Sequence, residues 1–151
     1  MKRKRRFSNE IREIFACRME SHLGAREGVL RSIVEELNAR GIAFDPHLHY
    51  LCLDEALINA VVHGNRDDPS KAVKVRVFLL EDGWGAEVED EGAGFDWAKW
   101  QRRLRAGMDT SRTSGRGLEL IFNSGAEVEF LDGGRRLRII WRESLPEESH
   151  D

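Results

Sequence analysis

Cysteine is scarce in this sequence: only Cys17 and Cys52 occur among 151 residues, and they form no CxxC spacing. Both lie in otherwise apolar stretches, which favours two buried free thiols over the alternative of a disulfide. Long apolar runs are missing too, since none approaches the ~20 residues that a membrane-spanning helix needs. The start of the chain lacks the apolar core of a secretion signal. These absences predict a soluble, cytoplasmic protein without a membrane partner.

An excess of one charge is also lacking, because the net charge is only -3 at pH 7. Such a balance excludes a general signature of polyanion binding. The ends differ from the middle: residues 1–6 hold five cations, and the last residues are acidic. A solvated tail is the expected form of the basic end, and a nucleic-acid-binding arm is the alternative. Aromatic residues do not alternate with these cations, so no direct contact with nucleic acid is expected.

The length and the composition suit a single domain that can bury a core of its own. No internal repeat or low-complexity linker divides the chain. We predict a basic tail over residues 1–10, one folded domain over residues 11–142 and an acidic tail over residues 143–151.

Hydrophobic patterning predicts alternating helical and extended segments within the domain. The predicted elements are a strand over residues 11–21, helices over 26–41 and 46–65, strands over 71–80 and 84–90, a short helix over 117–125 and a hairpin over 126–141. Asp45 is expected to cap the second helix, and residues 99–116 are basic with only weak patterning. We therefore expect a two-layer α/β sandwich whose mixed, mostly antiparallel sheet carries helices on one face.

A polar stripe interrupts the second predicted helix, where Glu55, Asn59 and His63 recur every four residues. At the α-helical spacing these side chains fall within about 80° of one another. Apolar residues border the stripe on both sides, unlike the broad charged face of a solvated helix. Buried polar groups need partners, which a ligand pocket would supply. A narrow exposed stripe on a half-buried helix is the alternative, and the stripe alone does not decide between them.

Two glycine-containing stretches follow the predicted helix and are candidates for ligand contacts. Asp90, Gly92 and Gly94 form a D-x-G-x-G pattern at the end of a strand, where a carboxylate can accept a hydrogen bond from a ligand amino group. Gly115 and Gly117 precede a short apolar helix, whose N-terminal amides can bind an anion. An ordinary turn and a solvated basic loop are the alternatives. Nothing in the chain matches the Walker P-loop pattern.

In combination, the three stretches resemble the ATP-binding boxes of the GHKL ATPase superfamily. "DEALINAVVHGN" (residues 54–65) looks like the N box, "DEGAGF" (90–95) the G1 box and "GRGLEL" (115–120) the G2 box. The resemblance covers roughly residues 26–141 and implies the Bergerat ATP-binding fold. The short form and the spelling of the boxes look most like the anti-sigma-factor serine kinases, and also like stand-alone or phosphatase-fused versions of that domain.

The resemblance implies a role for each matched position of the first two boxes. Asn59 would coordinate Mg²⁺, and Glu55 would face the γ-phosphate of ATP as a catalytic base. His63 would lie at the edge of the pocket. Asp90 would bind the amino group of adenine, and the nearby residues Gly92 and Gly94 would shape the adenine pocket.

The third box and the stretch before it would surround the phosphates in the same comparison. Residues 99–114 match the ATP lid, and Arg112 is our candidate for the cation that contacts the γ-phosphate. Gly115, Arg116, Gly117 and Leu118 would belong to the nucleotide site. The basic side chains of this region would compensate phosphate charge.

The function implied is an ATP-dependent serine/threonine kinase that phosphorylates a STAS-domain antagonist of an anti-sigma factor. A sigma factor is a further expected partner, and homodimers are common in the family. Because no phosphoacceptor helical hairpin is found in the chain, an autophosphorylating histidine kinase is disfavoured. The alternatives are a nucleotide-gated protein-binding regulator with little turnover and a scaffold that has lost its nucleotide.

Overall fold

The computed structural model describes residues 11–94, 96–106 and 115–143. The elements are β1 (Arg12–Glu20), α1 (Arg26–Ala39), α2 (Leu48–Ile58), a π-helical turn (Asn59–Gly64), β2 (Ala72–Leu80), β3 (Gly83–Glu89), α3 (Trp97–Arg105), α4 (Gly115–Phe122), β4 (Glu127–Leu131) and β5 (Arg136–Arg142). Both predicted tails lie outside this description, apart from Glu143. Among the described helices, none has the length and apolar character needed to cross a membrane.

The strands form one sheet in the order β1-β2-β3-β5-β4, and each pairing between described strands is antiparallel. Its inner face carries alternate residues of each strand, such as the fully buried Val73, Val75 and Val77 of β2. These side chains pack with the apolar sides of α1, α2 and α4 into one core. The predicted two-layer α/β sandwich with helices on one face is therefore confirmed.

A row of charges crosses the opposite face of the sheet, with one residue from each strand. In spatial order the row is Glu13, Arg76, Glu87, Arg138 and Glu129, so that the sign alternates. Glu87 is only 2% exposed, and it accepts hydrogen bonds from Arg76 at 2.9 Å and Arg138 at 2.8 Å. A buried carboxylate requires such partners. This polar face explains why the helices cover only the other side.

Helix α2 is held at its start by a cap and a buried ring. The Asp45 carboxylate accepts hydrogen bonds from the amides of His47, at 2.8 Å, and Leu48, at 3.0 Å. The Asp45 amide donates to Nδ1 of His49, whose ring packs edge-on against Trp84 at 5.2 Å. Burial lowers the pKa of His49, which favours the neutral ring that this contact needs. The predicted cap is thus confirmed, although the helix begins slightly later than predicted.

The largest departure from the predicted elements is α3, which lies in a stretch where we expected no regular structure. Asp96 accepts a hydrogen bond from the amide of Lys99 at 3.0 Å and so caps the helix. Trp100 is 6% exposed and stacks on Phe122 of α4 at 5.3 Å. Basic residues dominate this helix, and we therefore assigned the stretch to a lid, although Trp97, Trp100 and Leu104 recur at helical spacing.

The two cysteines are free, as predicted. Cys52 is fully buried in α2, whereas Cys17 in β1 is half-buried. Both side chains contribute to the packing between the sheet and the helices.

Candidate functional site

The polar stripe spans the point where α2 changes its winding. Glu55 lies on the α-helical part and is half-buried, while Asn59 begins the π-helical turn. The amide of Asn65 closes that turn by donating to the carbonyl of Ala60 at 2.8 Å. Because the wider turn breaks the α-helical spacing, the alignment of His63 with the other two residues no longer follows, and His63 is exposed. Such π-helical turns are rare and often occur at functional sites.

Asn59 carries a buried polar atom without a partner. Its Oδ1 atom is inaccessible to solvent and receives no hydrogen bond from the residues that the structure describes, an arrangement that proteins normally avoid. An amide oxygen is a suitable ligand for Mg²⁺. Among the described residues, no group of three or more histidine, cysteine or acidic side chains could hold a metal. Asn59 therefore fits a Mg²⁺ ion that takes its other ligands from phosphate and water oxygens, as this ion commonly does.

Through Glu55, the polar stripe contacts the second glycine-containing stretch, which begins α4. Helices α2 and α4 pack together, and the Glu55 carboxylate passes over Gly117 in the first turn of α4. A Cβ on Gly117 would collide with Oε2 of Glu55, and its carboxyl carbon would lie 3.3 Å away. Glycine is thus required for the observed position of Glu55. The contact places a carboxylate beside the N-terminal amides of α4, where anions bind.

For the other residues of the stretch that begins α4, the structure gives less direct evidence of a ligand contact. Gly115 begins α4, and Leu118 is 1% exposed, packing into the core to anchor that helix. The side chain of Arg116 and the whole of Arg112 lie outside the described part, as do lid residues 107–114. The roles of these residues remain predictions.

Asp90 ends β3 in a confined position. The side chain is almost buried, and its Oδ1 accepts a hydrogen bond from the amide of Gly92 at 2.8 Å. Burial raises the pKa of Asp90, although the Gly92 hydrogen bond and the charge of Arg135 act against that rise. No described residue donates a hydrogen bond to the second oxygen, Oδ2. An amino group of a ligand would satisfy it.

The glycines around Asp90 allow three backbone segments to meet. A Cβ on Gly64 would collide with the Asp90 carboxylate, and one on Gly92 would collide with the carbonyl of Gly64. Gly94 has φ of +101° and lies against the carbonyl of Gly133 in the β4–β5 turn. Gly92 and Gly94 therefore join the strand end to the π-helical turn and to the second hairpin.

Asn65 is a buried residue of this region to which our reading of the sequence gave no role. Its side chain donates to Oγ of Ser21 at 3.0 Å and to the carbonyl of Ala72 at 3.0 Å, and accepts from the amide of Glu91 at 2.7 Å. An asparagine at the end of a helix is usually explained as a local cap. That local explanation does not account for the contacts with Ser21 and Glu91, which lie 44 and 26 residues away in sequence, although Asn65 lies within the quoted N box.

Comparison with known proteins identifies the family of the chain. Residues 22–141 match the model of a family described as the histidine kinase-like ATPase domain. The match covers most of the chain, which therefore belongs to this family, and a domain of this GHKL type implies ATP binding. None of the curated proteins compared with the chain matches it.

Replacing Asp90 by asparagine is expected to separate ligand recognition from stability. The Asp90→Asn variant should bind Mg-ATP about tenfold or more weakly, because a hydrogen bond between the adenine amino group and a charged acceptor is lost. Isothermal titration calorimetry measures this change. The exposed carboxylate of Glu81 supplies the control variant Glu81→Gln, and equal affinity in the two variants would refute the assigned role of Asp90.

The same variant has an expected pH dependence in the absence of ligand. Because the folded-state pKa of Asp90 is raised, this carboxyl contributes its full stability at low pH and loses it as pH rises through that pKa. Asp90→Asn should therefore be at least as stable as the unchanged chain at pH 7, with the difference shrinking toward pH 4. Urea unfolding at the two pH values tests the sign.

A single methyl group on Gly117 is expected to disturb the site while leaving the fold intact. In Gly117→Ala the Glu55 carboxylate must move, so Mg-ATP affinity should fall at least about tenfold, while the free energy of unfolding changes by no more than ~1 kcal/mol. Gly28→Ala in α1 is the matched control, because its Cβ would meet no atom within 4 Å. Equal ATP affinity in the two alanine variants would contradict the contact.

Proposed function

We propose that this member of the histidine kinase-like ATPase domain family is an ATP-dependent protein serine/threonine kinase. The proposed substrate is a STAS-domain antagonist of an anti-sigma factor in a bacterial partner-switching system. The observation that supports the proposal most is the placement of Glu55, whose carboxylate lies beside the first turn of α4 and one helical turn before Asn59.

Asn59 would hold the metal of the bound nucleotide through its unpartnered Oδ1. Bound Mg-ATP supplies the transferable γ-phosphoryl group together with a cation that offsets its charge. Asn59 is fixed by the buried residues that follow it, Ala60 and Val61, which are 3% and 1% exposed. The ligand atom is therefore pre-positioned by the core rather than by a mobile loop.

Glu55 would act as the general base or orient the nucleophile. The serine hydroxyl oxygen forms a bond to the γ-phosphorus while the bond from that phosphorus to the oxygen of ADP breaks. The hydroxyl proton passes to the Glu55 carboxylate, and ADP leaves. The short, glycine-limited space between α2 and α4 holds this carboxylate in one position.

Exposed cations on α3 support an anionic ligand nearby. Lys99, Arg102 and Arg103 are exposed, and none of them forms an ion pair with a described carboxylate. In contrast, Arg76 and Arg138 on the sheet are each paired with two carboxylates. The α3 cations are thus available for the triphosphate or for acidic groups of the protein substrate.

The proposed partners are cytoplasmic proteins, so we propose that the chain works in the cytoplasm. Besides the STAS-domain substrate, a sigma factor is a proposed second partner, and the chain would act as a homodimer as many members of the family do.

The direct test is the transfer of radiolabelled γ-phosphate from ATP to purified STAS-domain proteins of the same organism. The unchanged chain should label one of them on serine or threonine, and Glu55→Gln should be slower by about 100-fold or more while still binding ATP, since general bases contribute that much. Glu35→Gln, at an exposed position of α1, is the control.

Two outcomes would contradict parts of the proposal. Full transfer by Glu55→Gln would remove this residue as the base. Tight ATP binding without transfer to any STAS-domain protein would contradict kinase activity, and would instead favour a nucleotide-gated regulator that binds its partner without turnover.

A further inference from the structure

We propose that Asn65 is a positioning residue of the nucleotide site, which sets the adenine selectivity of Asp90 by holding the adjacent Glu91 amide at the end of the π-helical turn. The inference rests on the proposed role of Asp90 in binding adenine. Asn65 itself touches no proposed ligand atom, so it would act only through the segment it holds.

The side-chain amide of Asn65 is used in a way that no other residue type reproduces. Asn65 has no measurable exposure, and both of its known acceptors, Ser21 Oγ and the Ala72 carbonyl, lie 3.0 Å from Nδ2. The Glu91 amide lies 2.7 Å from Oδ1. Because a carbonyl only accepts and an amide only donates, these neighbours fix the orientation of the side chain. An aspartate would lack both donors and bury a charge.

The hydrogen bond from the Glu91 amide to Asn65 lies directly next to Asp90. Glu91, whose amide Asn65 holds, is the following residue, and the amide of Asp90 itself donates to the carbonyl of Arg135 at 2.9 Å. On the other side, Gly64 packs against the Asp90 carboxylate and against Gly92. Asp90 is therefore held between the β4–β5 turn and the π-helical turn that follows α2. Displacing the Asn65 side chain would remove the hydrogen bond that holds the Glu91 amide next to Asp90.

The backbone around Asn65 is distorted in a way that brings its side chain inward. The π-helical turn ends at its amide, and the next two residues, Arg66 and Asp67, have φ of 53° and 58°. Left-handed conformations are costly for residues other than glycine and persist where the surroundings over-determine them. The buried hydrogen bonds of Asn65 provide that constraint. The left-handed residues Arg66 and Asp67 and the buried hydrogen bonds of Asn65 therefore occur together at the end of the π-helical turn.

A merely structural anchor would change stability but not the choice of base, and this distinguishes the two roles. The experiment measures the Kd of the full-length chain for Mg-ATP and for Mg-GTP by calorimetry, at a temperature where each variant is folded. We expect Asn65→Ala to lower the preference for ATP by roughly fivefold. Leu37→Ala, a destabilised control in the core of α1, should leave the preference unchanged.

A milder variant covers the case in which Asn65→Ala does not fold. Ser21→Ala removes one acceptor of the Nδ2 group and keeps Asn65 in place, so it should lower the same preference by about twofold. A double-variant cycle adds the link to Asp90: once Asp90→Asn has removed the selectivity, Ser21→Ala or Asn65→Ala should lower it no further.

The outcomes separate this inference from the proposed function. If Asp90→Asn lowers the preference for ATP while the folded Asn65 and Ser21 variants retain it, Asn65 is only a structural anchor and the inference is overturned. If Asp90→Asn itself retains the preference, the assigned role of Asp90 fails first, and the positioning role falls with it.

Discussion

The burial of helix α2 is the constraint on which the candidate site depends. Leu53, Ala56 and Leu57 of α2, and Ala60 and Val61 of the π-helical turn, are each at most 3% exposed, so one whole face of this segment is buried. Polar groups carried by such a helix cannot all reach water, and an unpartnered buried oxygen is costly. A bound cation would satisfy Asn59 Oδ1 and remove that cost. The chemistry proposed for the site thus follows from the packing of the helix that carries it.

Glycine is the second requirement, because the three boxes approach one another where a Cβ is missing. Gly117 leaves room for Glu55, Gly64 leaves room for Asp90, and Gly92 leaves room for the backbone carbonyl of Gly64. In each case one box supplies the glycine and another supplies a functional carboxylate or the backbone next to it. Close packing of these backbone segments therefore brings three boxes that are separate in sequence into one compact site.

Sequence patterns predicted the strands and the first two helices, because periodicity is a local signal, whereas the resemblance to the GHKL superfamily implied that the boxes form one site. The π-helical turn was not predicted, since nothing in a local pattern distinguishes it from an ordinary α-helical end. Helix α3 was missed because its basic residues led us to assign the stretch to a lid, although Trp97, Trp100 and Leu104 recur at helical spacing. Asn65 was missed for a different reason: its partners Ser21 and Glu91 lie 44 and 26 residues away in sequence, and only the folded chain brings them and Ala72 together.

Mg-ATP is the partner that we propose for the polar side chains of Asn59 and Glu55. The most direct measurement is the thermal unfolding midpoint of the chain as Mg-ATP is titrated, since a ligand that binds only the folded state must raise it. We predict that the midpoint rises with nucleotide concentration, that this rise depends on Mg²⁺ and that most of it is lost in Asn59→Ala. An unchanged midpoint at millimolar Mg-ATP would contradict it.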